Sequence, residues 1–235
     1  MPQISKAFLR ITAIEPQKST RGQSASGGKR SGRFNVFTDN KFAFSIDEIT
    51  LAQSHLKTGD NLTSDQIEEF IGKNQTGKLQ EAALRYLSYR PRSEKEVADY
   101  LAQKIAKAQN IKFNQAKESP QIKKVISKLK KYNYLNDQEF AKWFVSSRIR
   151  SHPKGLSLIR LELKTKGITP DTIETILTSS IDERQLALDA LKKKSKKWHN
   201  LSGIDLKKKV YQYLASRGFS YDIIKEAFAN LVQKD

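Results

Sequence analysis

The sequence contains no cysteine. Disulfides are excluded, and so are zinc sites built on thiolates. Histidine is scarce: His55, His152 and His199 are far apart and form no HxxxH pair, so no metal site is expected. Long apolar runs are absent too. Nothing approaches the roughly 20 apolar residues a membrane helix needs. The N-terminal MPQISKAFLRITAIEP carries charge inside its short apolar stretch and offers no small-residue cleavage site, so it does not read as a signal peptide. A soluble, cytoplasmic protein with no membrane partner is expected. Catalytic signatures are missing as well. Gly27-Gly28-Lys29-Arg30-Ser31-Gly32 has glycine and lysine but not the GxxxxGK[ST] spacing of a phosphate loop. No serine sits in a nucleophile elbow, and no carboxylates are paired in a pattern that would hold magnesium. The chain is expected to be no enzyme and to carry no cofactor.

What the sequence does have is positive charge. The net charge is +18 and the isoelectric point about 9.9, against a magnitude of roughly 2–8 that keeps a small domain soluble. Residues 1–78 hold 11 basic and 8 acidic residues, a net +3, leaving +15 on the remainder. A polyanion, or an acidic protein surface, is the implied partner.

The first part reads as β-rich. Phe8 to Ile14 is strand-like, and Arg33–Phe37 and Phe42–Ile46 alternate around a Thr38-Asp39-Asn40-Lys41 turn, as a hairpin does. The loop 17–32 is rich in glycine, serine and basic residues and is expected to be flexible. Asp47 caps a predicted helix that carries Ile49, Ala52 and Leu56, and Gly59-Asp60 ends it. Thr63-x-x-Gln66 is a capping box for a helix running towards Asn74. These segments make an N-terminal β-hairpin/α module, residues 1–78.

From residue 79 the apolar period becomes 3.6. Ile122, Val125, Ile126, Leu129 and Tyr132 form one stripe; Phe140, Trp143 and Phe144 a second; Ile223, Ile224, Ala227, Phe228 and Leu231 a third. Ser93-x-x-Glu96, Ser119-Pro120 and Thr169-Pro170 are helix starts. About nine helices are expected between 79 and 235. Three segments also match. Val97, Ile159 and Val210 align, as do Leu101, Leu163 and Leu214, and Lys104, Lys166 and Arg217, at offsets of 62 and 51 residues. Gly167-Ile168 parallels Gly218-Phe219, a left-handed helix cap followed by an apolar residue. Asn110 to Ser119 reads as an extra linker. The fold expected is mainly α: three tandem three-helix repeats, 79–135, 136–181 and 182–235, forming an elongated curved array.

At this point the residues resemble the RecX family. Ala83 to Val97, ALRYLSYRPRSEKEV, is similar to its first signature, a leucine-bearing helix followed by an Arg–x–Arg–Ser–x–x–Glu turn. Leu129 with Tyr134 to Ala141 is similar to the second, and Lys154-Gly155 with Leu163 to Ile168 to the third. Phe42-Ala43-Phe44-Ser45 and Leu56-Lys57-Thr58-Gly59 are similar to the β-module of longer members. The likeness covers nearly the whole chain apart from loop 17–32. Tyr132-Asn133-Tyr134 departs from it, since members often have glycine there. The resemblance implies a regulator of DNA repair and recombination, one that binds RecA filaments on single-stranded DNA and modulates, usually by inhibition, their ATPase, strand-exchange and coprotease activity. A monomer is expected.

Basic residues off the apolar stripes are the contact candidates, because lysine and arginine on phosphates give affinity without sequence specificity. They are Arg85, Arg90, Arg92, Lys95, Lys123, Lys124, Lys128, Lys130 and Lys131 in the first repeat. In the second they are Arg148, Arg150, Lys154, Arg160, Lys164 and Lys166. In the third they are Lys192, Lys193, Lys194, Lys196, Lys197, Lys207, Lys208 and Lys209. Each has a plain alternative as a solvated helix face, and Arg90 and Arg92 as caps on the preceding carbonyls. Tyr132, Tyr134, Trp143 and Phe144 are assigned to the core by their spacing; Trp198, among lysines, is the expected exposed stacking residue. A helix-turn-helix transcriptional regulator is the alternative function, with Ile159–Leu177 or Val210–Phe228 as the motif. Its recognition helices, Pro170–Ser179 and Tyr221–Leu231, carry no basic residue and only Lys225, respectively, which argues against it. A structural or RNA-associated basic protein is a third possibility, distinguished by binding that needs no RecA.

Overall fold

The computed structural model describes residues 8–17, 32–178, 181–195, 197–198 and 200–232. The glycine- and serine-rich loop expected at 17–32 lies, apart from its two ends, outside the described residues. The chain divides into two compact units, residues 1–82 with 120–125, and residues 83–119 with 126–235.

The first unit is built on a four-stranded antiparallel sheet. Strands β1 (Phe8–Pro16), β2 (Arg33–Thr38), β3 (Lys41–Asp47) and β4 (Asn61–Thr63) lie in the order β3-β2-β1-β4. Asp39 and Asn40, the residues between β2 and β3, both have positive φ, 46° and 62°. Two-residue hairpin turns demand that conformation, and aspartate and asparagine tolerate it. Val36, Phe44, Ile46 and Ile11 are buried, with Leu62 of β4 and Ile67 completing the core. Strand β4 goes beyond the sequence reading. Three residues are too few to show a period, and its pairing partner, Phe8–Arg10, is remote in sequence.

Asp47 caps α1 (Glu48–Ser54), accepting the Thr50 N–H at 2.9 Å. The helix stops at His55, whose φ of 52° is left-handed, one residue short of Leu56. The capping box of α2 (Ser64–Leu87) is formed in both directions. Thr63 N–H donates to Gln66 Oε1 at 2.9 Å, and Gln66 N–H to Thr63 Oγ1 at 3.3 Å. This helix does not end near Asn74 but runs 24 residues to Leu87, crossing residue 78 without a break. Gly72 and Gly77 keep helical backbone in open surroundings, and an isolated glycine costs only about 1 kcal/mol there. No proline intervenes before Pro91.

Further along the chain α3 (Glu94–Gln109), in the second unit, follows the Ser93/Glu96 capping box, which is present in full. Then come α4 (Phe113–Lys117), α5 (Pro120–Lys131), α6 (Asp137–Ser151), α7 (Leu156–Thr165), α8 (Pro170–Thr178), α9 (Glu183–Ser195), α10 (Gly203–Ala215) and α11 (Tyr221–Val232). Among the described residues nine helices start after residue 79, and the last turns of α2 lie in the same span, where the sequence reading expected about nine in all. One of them, α4, lies in the segment read as linker. It is five residues long and buries a single side chain, Ala116, so no stripe announces it.

The aligned positions do one job three times. Val97, Ile159 and Val210, and Leu101, Leu163 and Leu214, are all fully buried. One core gathers Phe140, Phe144, Ile159, Leu163, Ile168 and Ile173 from α6–α8; another gathers Leu186, Leu191, Val210, Leu214, Phe219 and Ile224 from α9–α11. The glycine caps are also equivalent. Gly167 and Gly218 have φ of 83° and 82°. The following N–H groups, of Ile168 and Phe219, return to the carbonyls of Leu163 and Leu214 at 3.1 and 3.2 Å, and both apolar side chains are buried.

Candidate functional site

The repeated positions also build the seams between neighbouring three-helix domains. At the end of α7, Lys166 reaches back to Glu96, Nζ to Oε1 at 2.7 Å. At the same repeat position, the end of α10, Arg217 Nη1 donates to the Pro153 carbonyl at 3.1 Å. A Cβ on Gly167 would meet Lys95 Cβ at 2.8 Å, and one on Gly218 would meet Leu158 Cβ at 2.5 Å. The start of the middle helix in one domain thus receives the glycine turn of the next.

Two carboxylates organise these seams. Glu96 takes Arg90 Nη2 at 3.0 Å as well as Lys166. Burial pushes its carboxyl up, but hydrogen bonds from Arg90 and Lys166 outweigh burial and hold it at about 2. Glu162 takes Arg148 Nε at 2.7 Å and the Lys154 ammonium. Burial again opposes the charged form, while Lys154 and Arg148 lower the pKa overall. From sequence Glu96 is legible only as a capping residue and Glu162 not at all, because their partners are 70 and 14 residues away in the chain for Lys166 and Arg148.

The basic candidates separate accordingly. Arg90, Arg148, Lys154 and Lys166 are held by these carboxylates. Lys95 donates to the Thr165 carbonyl at 2.7 Å, Lys130 pairs with Glu94 at 2.8 Å, Arg160 with Glu174 at 2.7 Å, and Lys192 with Asp189 at 2.9 Å. The capping alternative for Arg90 and Arg92 gives way to other contacts: Arg90 donates to the Pro91 carbonyl, beyond the end of α2, and Arg92 lies over the Tyr86 ring at 3.9 Å. Arg85, Lys123, Lys124, Lys128, Lys131, Arg150, Lys164, Lys197, Lys207, Lys208 and Lys209 are exposed, with no ion pair among the described residues. Lys194 is half-buried near the Tyr213 ring. Lys193 lies in α9, and Lys196 lies outside the described residues.

Two of these groups are dense. On α5, Ile122, Val125, Ile126 and Leu129 are buried, while Lys123, Lys124, Lys128 and Lys131 are exposed. On α10, Lys207-Lys208-Lys209 take the positions that Glu94-Lys95-Glu96 and Leu156-Ser157-Leu158 occupy in the preceding domains, where those residues receive the next glycine turn.

The aromatic expectations need correction. Trp198 is half-buried on the α9–α11 core, edge-on to Tyr213 with ring centroids 5.4 Å apart. Tyr132 and Tyr134, assigned to the core by spacing, are 59% and 60% exposed, and Tyr89 is 77% exposed. Tyr132 follows the last residue of α5 and Tyr134 lies in the α5–α6 loop, so the helical period no longer governs them. Phe144 is buried and Trp143 partly so, as their spacing implied. Tyr89, Tyr134 and Trp143 line one open groove with Leu84, Arg90, Arg92, Asn133 and Phe140. Among the described residues no cluster of histidine and carboxylate side chains could hold a metal ion, and no helix is long and apolar enough to cross a membrane.

Three basic three-helix domains in series, preceded by a small sheet module, define the class of regulatory proteins that known relatives identify. Family profiles match in chain order: the regulatory protein RecX N-terminal domain at residues 26–63, and the first, second and third three-helix domains of RecX at 81–107, 136–177 and 182–228. Regulatory protein RecX of Bacillus pumilus is 39% identical over 219 residues, 92% of this chain and 75% of that protein. That of Bacillus subtilis is 38% identical with the same coverage. A crystal structure of regulatory protein RecX superposes with a TM-score of 0.64 at 26% identity, covering 97% of this chain and 100% of the other. RecX from Lactobacillus salivarius superposes with a TM-score of 0.55 at 29% identity, covering 68% and 99%. The chain belongs to the RecX family of regulatory proteins.

Proposed function

We propose that this protein binds the RecA filament on single-stranded DNA and restrains its ATPase, strand exchange and coprotease activity, without chemistry of its own. It acts in the cytoplasm as a monomer. The domains 79–135, 136–181 and 182–235 supply successive contacts to acidic RecA surface and to the phosphate backbone of single- or double-stranded DNA. The observation that carries this reading is the exposed lysine surface on a chain of this family. Lys123, Lys124, Lys128 and Lys131 on α5 and Lys207–Lys209 on α10 have no carboxylate partner among the described residues. Such cations bind a polyanion by releasing its counterions, so affinity falls steeply with salt.

The test is RecA ATPase on single-stranded DNA, titrated with this protein at two salt concentrations. A substoichiometric loss of turnover, relieved by salt, is expected. Flat turnover with a sequence-dependent shift of duplex DNA would replace this reading with the helix-turn-helix regulator. Helices α8 and α11 lend that regulator little: α8 has no basic residue and α11 only Lys225.

A further inference from the structure

We infer that the groove between the α2–α3 connection and the α5–α6 loop binds an unstacked nucleobase of single-stranded DNA. The inference rests on the proposed function, which brings single-stranded DNA to this protein, and adds base contacts to the phosphate contacts above.

The first ground is the exposure of its rings. Tyr89 enters from the α2–α3 connection and Tyr134 from the α5–α6 loop, 77% and 60% exposed, over a floor that includes Leu84, Phe140 and Trp143. Tyr86, by contrast, is used internally, stacked on Tyr100 with centroids 4.1 Å apart. Two rings left in water at one groove offer flat faces to a flat ligand, and aromatic faces accept any base.

The second ground is charge. Arg90 is matched by Glu96 at 3.0 Å, and Glu139, which also lines the groove, by Lys142 at 2.9 Å. Arg92 is different. It is half-buried, its guanidinium lies 3.9 Å from the centroid of Tyr86, and its Nε is buried with no acceptor. No carboxylate pairs with it among the described residues. The groove therefore holds apolar ring faces beside one uncompensated, preoriented guanidinium. A nucleotide offers both complements: a planar base, and a phosphate or a base-edge acceptor for arginine. The amide of exposed Asn133 adds a donor and an acceptor at the rim. An apolar side chain of a protein partner would leave Arg92 unmatched.

The experiment is fluorescence anisotropy with a labelled oligothymidylate and an abasic strand of equal length, which has the same phosphates and no bases. The wild-type protein is expected to bind the thymidylate at least ~5-fold more tightly, the lower end of what one stacked base contributes. Y89A/Y134A brings the two strands to equal affinity, and Y89F/Y134F keeps the difference. Both tyrosines are exposed, so truncating them opens no cavity in the core. K207A/K208A/K209A weakens both strands alike. Equal binding of the two strands by the wild-type protein overturns the inference, as does discrimination that survives Y89A/Y134A. Should Y89A/Y134A abolish RecA inhibition while the wild-type protein ignores bases, the groove takes a RecA side chain and the regulator reading stands. If RecA turnover is untouched by the wild-type protein, the regulator reading falls and the inference falls with it.

Discussion

Gly155 and Gly218 meet backbone to backbone. The Gly155 N–H donates to the Arg217 carbonyl at 2.9 Å, and a Cβ on Gly155 would stand 2.2 Å from the Gly218 carbonyl oxygen. Only glycine fits, and what a side chain would strike is main chain, which cannot rotate away. G155A is expected to cost about 2–3 kcal/mol, as overpacking of a tight contact does. G203A, at the start of α10, would place its methyl in open space and should leave stability unchanged or raise it by ~0.5 kcal/mol. Thermal unfolding of both variants checks the pair; equal melting temperatures would contradict the seam.

Glu96 makes the α3–α7 seam sensitive to acid. Its folded pKa of about 2 lies below the ordinary 4.5 of an unfolded glutamate. A depressed carboxylate contributes stability that is fully present above the unfolded pKa and is lost as pH falls through the folded one. The window is therefore between about pH 4.5 and pH 2. E96Q is expected to lose on the order of 2 kcal/mol at pH 7 and to unfold with a shallower acid limb, the two proteins converging near the acid end of that window. Urea midpoints measured across this range decide it.

In the α5–α6 turn Asn133 takes a left-handed backbone, φ 57°, the conformation glycine adopts at least cost. Its N–H reaches the Lys130 carbonyl at 2.9 Å, and that of Tyr134 reaches Leu129 at 2.9 Å, so the cap closes as at Gly167. N133G should therefore be neutral or slightly stabilising. N133A should cost about 1 kcal/mol, because alanine is strained in the left-handed region. Reversal of that order in a denaturant titration would show that the asparagine side chain, not its backbone, holds the turn.

Lys207, Lys208 and Lys209 are exposed on one turn of α10. If all three meet phosphate, K207A/K208A/K209A lowers the slope of log affinity against log salt on single-stranded DNA by about 2, while the melting temperature stays put. An unchanged slope would remove this cluster from the interface.

Much of this architecture is legible in the sequence because its determinants are local. Asp47, Thr63 with Gln66, Ser93 with Glu96, and Pro120 and Pro170 mark helix starts within a few residues of the groups they satisfy. The alignment of Val97, Ile159 and Val210 finds three equivalent buried positions. What escapes depends on remote partners or on segments too short for a period. Strand β4 exists because Phe8–Arg10 is beside it, and α4 because one alanine finds a core. At the candidate site, sequence identifies the cations but not their engagement: Lys166 and Lys208 look alike in the chain, yet one is held by a carboxylate 70 residues away and the other is exposed. The helical period that would place Tyr134 in the core stops before reaching it.

The lysines on α10 also show one helix turn put to two uses. In the two preceding domains this turn is a seat for the glycine loop that follows. A lysine can sit there, as Lys95 does beside Gly167, but its ammonium is then engaged by the Thr165 carbonyl. In the third domain the same turn carries Lys207, Lys208 and Lys209, all exposed. A position that joins one domain to the next twice in the series is, the third time, a charged surface.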